Sequence, residues 1–279
     1  MRRSSLAALL LVFVFIWPAV AQERERIVRI PGPGGTTMIA TVMRPLGETR
    51  QPLVVINHGS PADGAQRAKM ALPRYATLSS WFLARGYVVA LPLRRGYGDT
   101  GGKWAEAYGS CSAPDYLGAG LQGASDIQAT IDFLREQPFV ASDRTIVVGY
   151  SAGGWASLAL SSRNPPGVAG LVNFAGGRGG HQRLPNGELG NCTPGALVDA
   201  AAKYGATARV PMLWLYAEND SFFDSALAER MAGAYNAAGG KATYRALPPF
   251  GRDGHSLAWA GDGAPIWSPL VESFLADLR

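Results

Sequence analysis

The chain has 279 residues, 47% hydrophobic and only 17% charged, which excludes both a disordered protein and a peptide-sized disulfide scaffold. Its 35 glycines follow no three-residue period, so a collagen-like fibre is excluded as well. The net charge is +5, and Arg2 and Arg3 supply two of those charges from a terminal segment, which leaves too little to argue for a nucleic-acid partner.

Residues 1–21 read as a secretory signal peptide. Arg2 and Arg3 give a positive start, Leu6 to Trp17 an apolar stretch, and Ala19-Val20-Ala21 the small residues before a cut ahead of Gln22. The apolar run is short of the roughly 20 residues that span a bilayer, and no later stretch is apolar enough, so no membrane contact is expected beyond this signal. A secreted or periplasmic protein follows. In that oxidising setting the two cysteines, Cys111 and Cys192, both in loop-like contexts, are expected to form one disulfide. No metal site is expected, since there are three histidines and no His-Glu-x-x-His, and no cofactor motif stands out.

From residue 22 onward the chain reads as one domain. Glu25 to Ile30 and Thr37 to Met43 are predicted strands joined by the turn Pro31-Gly32-Pro33-Gly34-Gly35. Leu53 to Asn57 is a buried strand, Leu72 to Ala84 a helix, and Tyr87 to Leu91 the next strand. Leu121, Ala124, Ile127, Ile131 and Leu134 recur at helical spacing. Arg144 to Gly149 is a strand and Ala152 to Ser162 a helix. Strands follow at Val168 to Phe174, Met212 to Tyr216 and Thr243 to Leu247, with a helix face from Leu227 to Ala238 and a last helix through Leu270 and Leu278. This alternation predicts an α/β protein: a mainly parallel sheet with an N-terminal antiparallel hairpin and helices on both faces. The stretch at about 175–209 breaks the rhythm and reads as a rim or cap insertion, with a short helix at Gly195 to Tyr204.

The chemistry gathers at strand ends. Gly149-Tyr150-Ser151-Ala152-Gly153 matches Gly-x-Ser-x-Gly. The pattern alone is weak in so glycine-rich a chain, but here it lies between a predicted strand and a predicted helix, the setting of a nucleophile elbow. Serine needs a base. Of the three histidines, His58 follows a strand beside the elbow and reads as a loop-shaping residue. His181 lies in the insertion as a substrate contact or surface residue, and His255 follows the last strand, where a base belongs. The base needs an acid, and the strand Met212 to Tyr216 leads into three: Asp220 is preferred, with Glu218 and Asp224 as rivals. Asp224 also suits the cap of the helix that follows.

The order Ser151, Asp220, His255, each after a strand, together with His58-Gly59, resembles α/β-hydrolase-fold serine hydrolases, near the dienelactone-hydrolase-like and prolyl-oligopeptidase-like esterases. Dienelactone hydrolases carry cysteine where Ser151 stands, and prolyl-oligopeptidase-type peptidases carry a propeller for which this chain has no room. The resemblance implies the α/β-hydrolase fold, a Ser-His-Asp triad, and an oxyanion hole from the backbone N–H groups of Ala152 and Ser60, since Pro61 has none. It implies a small-molecule ester substrate. A peptidase or amidase with the same triad and a non-catalytic binding protein on the same fold are the alternatives. Arg94, Arg95, Arg178 and Arg183 are candidates to face the pocket, and Trp104, Tyr108, Phe222 and Phe223 to form an apolar wall.

Overall fold

The structure, a computed structural model, describes residues 24–47, 49–183, 187 and 189–278. The signal expected at residues 1–21 lies outside the described residues. Strands β1 (Arg24–Pro31) and β2 (Thr37–Arg44) form the predicted hairpin. Strand β3 (Gln51–Asn57) leads through a short helix α1 (Gly64–Ala68) to helix α2 (Ala76–Leu83) and strand β4 (Val88–Leu93). Helix α3 (Tyr116–Arg135), strand β5 (Val140–Tyr150), helix α4 (Ala152–Ser161) and strand β6 (Val168–Phe174) come next. A small hairpin, β7 (Gln182–Arg183) with β8 (Leu189–Gly190), precedes helix α5 (Pro194–Gly205). Strand β9 (Met212–Ala217), helix α6 (Ser225–Ala237), strand β10 (Ala242–Leu247) and helix α7 (Ala264–Asp277) complete the order.

Eight strands make one sheet in the order β1-β2-β4-β3-β5-β6-β9-β10. β1 pairs with β2 and β2 with β4 antiparallel, and the pairs from β4 through β10 are parallel. A parallel sheet needs both faces covered, and alternation along each strand does this. Val55, Val147, Leu171 and Trp214 pack with α3, α4, α5 and α6 on one side. Val54, Val148, Val172 and Leu215 pack with α2 and α7 on the other.

Two predicted helix starts and the place of one helix differ from the observed fold. Helix α2 starts at Ala76 instead of Leu72, because Pro73 disfavours helical backbone before it and Tyr75 sits in the left-handed region at φ 39°. Helix α3 starts five residues before the first periodic leucine, where the Asp115 side chain caps it by accepting from Gly118 N at 2.7 Å. The helix within the stretch read as a rim is part of the main helical layer. Leu197, Ala200, Ala201 and Tyr204 of α5 are buried in the core, and only the residues before it reach the cleft at the sheet's C-terminal edge.

Candidate active site

The C-terminal ends of the parallel strands face one cleft, where a doubly covered sheet places its binding groups. Ser151 connects β5 to α4 at φ 54° and ψ −121°, a strained backbone for a residue with a Cβ. The flanking glycines make this turn possible. A Cβ on Gly149 would sit 2.3 Å from the Gly153 carbonyl oxygen, and one on Gly153 would sit 2.2 Å from that of Asn57. Ala152 is the first residue of α4, so its N–H has no partner within the helix and lies beside the serine.

The three residues singled out from strand-end positions meet. Ser151 Oγ lies 3.1 Å from His255 Nε2, and His255 Nδ1 lies 3.0 and 3.1 Å from the two Asp220 oxygens. With the carboxylate accepting from Nδ1–H, Nε2 is left to accept from the serine hydroxyl. Asp220 is held in turn by Phe222 N at 2.8 Å and Phe223 N at 3.0 Å, so its carboxylate is fixed by the backbone of its own loop. The rivals are elsewhere. Asp224 caps α6 by accepting from Leu227 N at 2.8 Å, and Glu218 is exposed.

His255 is enclosed. Phe222 stacks on its ring at 4.1 Å between centroids, Tyr150 lies at 5.0 Å, and Asp253 accepts from its backbone N–H at 3.0 Å. Burial alone would raise the Asp253 carboxyl. The Ser221 hydroxyl and the amides of His255 and Ser221 hold it below the usual carboxylate range instead. His181 stacks on the far face of Phe222 and bonds Ser221 Oγ at 2.7 Å, which ties the residues before α5 to the acid loop.

The hydrogen bonds of His58 go to Gly59 and Arg94 and none goes to Ser151. Its ring is fully buried, donating from Nδ1 to the Gly59 carbonyl at 2.6 Å and accepting Arg94 N–H on Nε2 at 3.2 Å. Burial first, and then the Arg94 charge, pushes its pKa down to about 3, so it is neutral. The Gly59 N–H is directed at the Tyr75 hydroxyl, 3.2 Å away, while Ser60 lines the cleft with Ser151 and Ala152.

Behind the cleft lies a buried charge cluster centred on Glu106, a residue that the strand-end reasoning did not pick out. One Glu106 oxygen accepts from Arg94 Nε, and the other from Arg178 Nη2 and the Tyr97 hydroxyl. Burial by itself would raise this carboxyl, but Arg94 and Arg178 hold it down to about 2. Of the four arginines considered, Arg178 alone lines the cleft. Arg94 is buried behind it, Arg95 pairs with Asp126 at 2.5 Å, and Arg183 is exposed beside Gly187. The expected wall residues Trp104, Tyr108, Phe222 and Phe223 all line the cleft.

Cys111 and Cys192 are bonded, with Cα atoms 5.3 Å apart. The bridge joins the segment that follows Trp104 and Tyr108 to the segment that follows Arg178. Tyr116 donates to the Cys192 carbonyl at 2.6 Å beside it. No helix among the described residues is long and apolar enough to cross a membrane.

Solved structures with the same architecture share little sequence. A protein from Klebsiella pneumoniae subsp. pneumoniae, provisionally assigned as a dienelactone hydrolase, is 16% identical with a TM-score of 0.62, over 91% of this chain and 99% of that one. An acetyl xylan esterase from Paenibacillus sp. R4 is 16% identical with a TM-score of 0.64, over 95% and 86%. A puromycin-hydrolyzing peptidase from Mycobacterium tuberculosis is 20% identical with a TM-score of 0.64, over 95% of this chain but only 41% of that one. At these identities the likeness carries the α/β-hydrolase fold. No curated protein matches the chain. The family model described as X-Pro dipeptidyl-peptidase (S15 family) matches residues 34–229, well over half the chain and inclusive of both Ser151 and Asp220. The chain therefore belongs to the S15 family and is a hydrolase of the α/β fold, of the esterase or peptidase kind.

Proposed function

We propose that the protein is a serine hydrolase that cleaves a carboxylic ester through an acyl-enzyme, and that it works outside the cytoplasm. The observation that carries this reading is the continuous hydrogen-bonded line from Ser151 Oγ through His255 to Asp220. Ser151 Oγ attacks the ester carbonyl as His255 Nε2 takes its proton, and Asp220 keeps the imidazole in the required tautomer and stabilises the imidazolium. The oxyanion is met by the N–H groups of Ala152 and Ser60. The alkoxide leaves with the proton from His255, and a water activated by the same histidine releases the acid and frees Ser151. The bridge between Cys111 and Cys192 and the signal-like residues 1–21 support export.

The family's description supports a second reading, a peptidase with the same three residues. A complete hydrogen-bonded triad argues against a protein that only binds. The test is labelling with a fluorophosphonate probe, followed by turnover of matched 4-nitrophenyl esters and 4-nitroanilides. Wild type is expected to label once and to turn over the esters faster, and Ser151→Ala to lose both label and turnover while keeping its folded signal. Labelling of Ser151→Ala at wild-type stoichiometry would overturn the nucleophile, and faster anilide turnover would favour the peptidase.

A further inference from the structure

The cleft beside Ser151 has a one-sided charge. Among the described residues that line it are Arg178 and Arg67, and no aspartate or glutamate. Arg178 is 4% exposed, and its Nη2 is held by Glu106. Its Nε is buried and makes no hydrogen bond among the described residues. Glu106 is already shared with Arg94, so the buried cluster of Arg94, Glu106 and Arg178 carries one positive charge more than it neutralises. Of the neighbouring titratable groups, His58 is neutral and adds no charge, and the Asp126 carboxylate is matched by Arg95. The half-buried Arg67 adds a second positive charge at the mouth. Both guanidiniums lie near the Trp104 ring, with the Arg67 carbon 3.7 Å and the Arg178 carbon 5.7 Å from its centroid.

An uncompensated guanidinium in a buried site is costly unless something negative completes it. This one is also held in position from several sides. Asn191 donates to the Arg178 carbonyl at 2.6 Å, and the N–H of Cys192, the residue that carries the disulfide sulfur, donates to the Gly179 carbonyl at 3.3 Å. A fixed, desolvated guanidinium with an unpaired N–H suits an anionic group such as a carboxylate. We propose that Arg178 and Arg67 form an anion-binding subsite beside Ser151, and that the protein acts on esters that carry a carboxylate near the scissile bond. This rests on the serine-hydrolase reading above and adds the charge of the substrate to it.

A charge series of esters tests the proposal by pH-stat. Monomethyl adipate is compared with methyl hexanoate and with methyl 6-aminohexanoate, which present a carboxylate, a methyl group and an ammonium on similar chains. A second pair, 4-carboxyphenyl butyrate against phenyl butyrate, puts the carboxylate on the leaving group. At least one anionic ester is expected to exceed its neutral counterpart in kcat/KM by tenfold or more, mainly through KM, with the ammonium ester slowest. Arg178→Gln, which leaves Glu106 paired with Arg94, is expected to cut the anionic-to-neutral ratio at least tenfold. Arg178→Lys should restore part of it, and Arg67→Gln, at the rim, should cut it less. Neutral esters turned over as fast as both anionic ones would overturn the subsite, as would an Arg178→Gln enzyme that loses anionic and neutral turnover alike, since that is the mark of a purely structural arginine. Fluorophosphonate labelling keeps the two readings apart. A labelled Ser151 without charge preference removes the subsite alone, whereas an unlabelled wild type removes both.

Discussion

Replacing Glu106 by glutamine keeps the shape of the side chain and removes the charge that Arg94 and Arg178 share. Glu106 is fully buried, and its oxygens take both guanidiniums and the Tyr97 hydroxyl. Removal of one partner from a buried ion pair costs about 3–5 kcal/mol, because the other is left charged and dry. The carboxyl's own titration gives a similar figure. A pKa held at about 2 against the ordinary 4.5 stabilises the folded state at neutral pH by about 3 kcal/mol. Since the folded pKa is the lower one, this contribution is complete above about pH 4.5 and is lost as the pH falls toward 2. Urea denaturation of wild type and Glu106→Gln at pH 7, with the disulfide intact, should therefore differ by about 3–5 kcal/mol, or about 6–20 °C in Tm. At pH 3 the gap should narrow. A gap below about 1 kcal/mol at pH 7, or one that stays constant between pH 5 and pH 3, would show that the cluster is not held by this charge.

Asp220→Asn should lower kcat by about 10⁴ with little change in KM, because the carboxylate acts on the imidazole and not on bound substrate. Asp224→Asn should keep activity and cost at most about 1 kcal/mol of helix-cap stability, and Glu218→Gln should change neither; a crippled Glu218→Gln would reverse the assignment of the acid. His58 stays neutral down to about pH 3 when folded but ionises near 6.5 when unfolded. Its contribution is thus present above pH 6.5 and lost between 6.5 and 3, and Tm measured from pH 7 to 5 should fall less steeply in His58→Gln than in wild type. The double variant Cys111→Ser, Cys192→Ser opens a cross-link between residues 81 apart and should lose up to about 4–5 kcal/mol in urea denaturation, and full retention would refute the chain-entropy account.

Much of the site was legible because it obeys local rules. A strained serine turn demands small neighbours, so Gly149 and Gly153 announce it between a strand and a helix. Asp220 and His255 fall in loops that directly follow strands, and periodicity finds those strands. Asp224 lies one residue before a helix face, where a capping role is foreseeable. Glu106 obeys no such rule. It stands in an aperiodic stretch, and its meaning comes from Arg94, twelve residues back, and Arg178, seventy-two ahead. Nothing short-range distinguishes it from a surface glutamate. The same holds for the arginines, of which four looked alike in sequence and one lines the cleft. Helix α5 was legible as a helix but not as part of the core: its alanine-rich face gives weak contrast, so its burial against α3 and α6 shows only in three dimensions.

The bond between Cys111 and Cys192 divides the three candidate catalytic residues by covalent topology. Ser151 lies inside the closed ring, together with α3, α4 and Arg178, whereas Asp220 and His255 lie on the free C-terminal arm. That arm ends in β10, an edge strand with one partner, and in α7, which covers the sheet from a single side. On the proposed triad, opening that begins at the arm would carry off the acid and base together, while the nucleophile stays in a segment whose two ends the disulfide holds close. The half-life of activity is then expected to follow the stability of that arm.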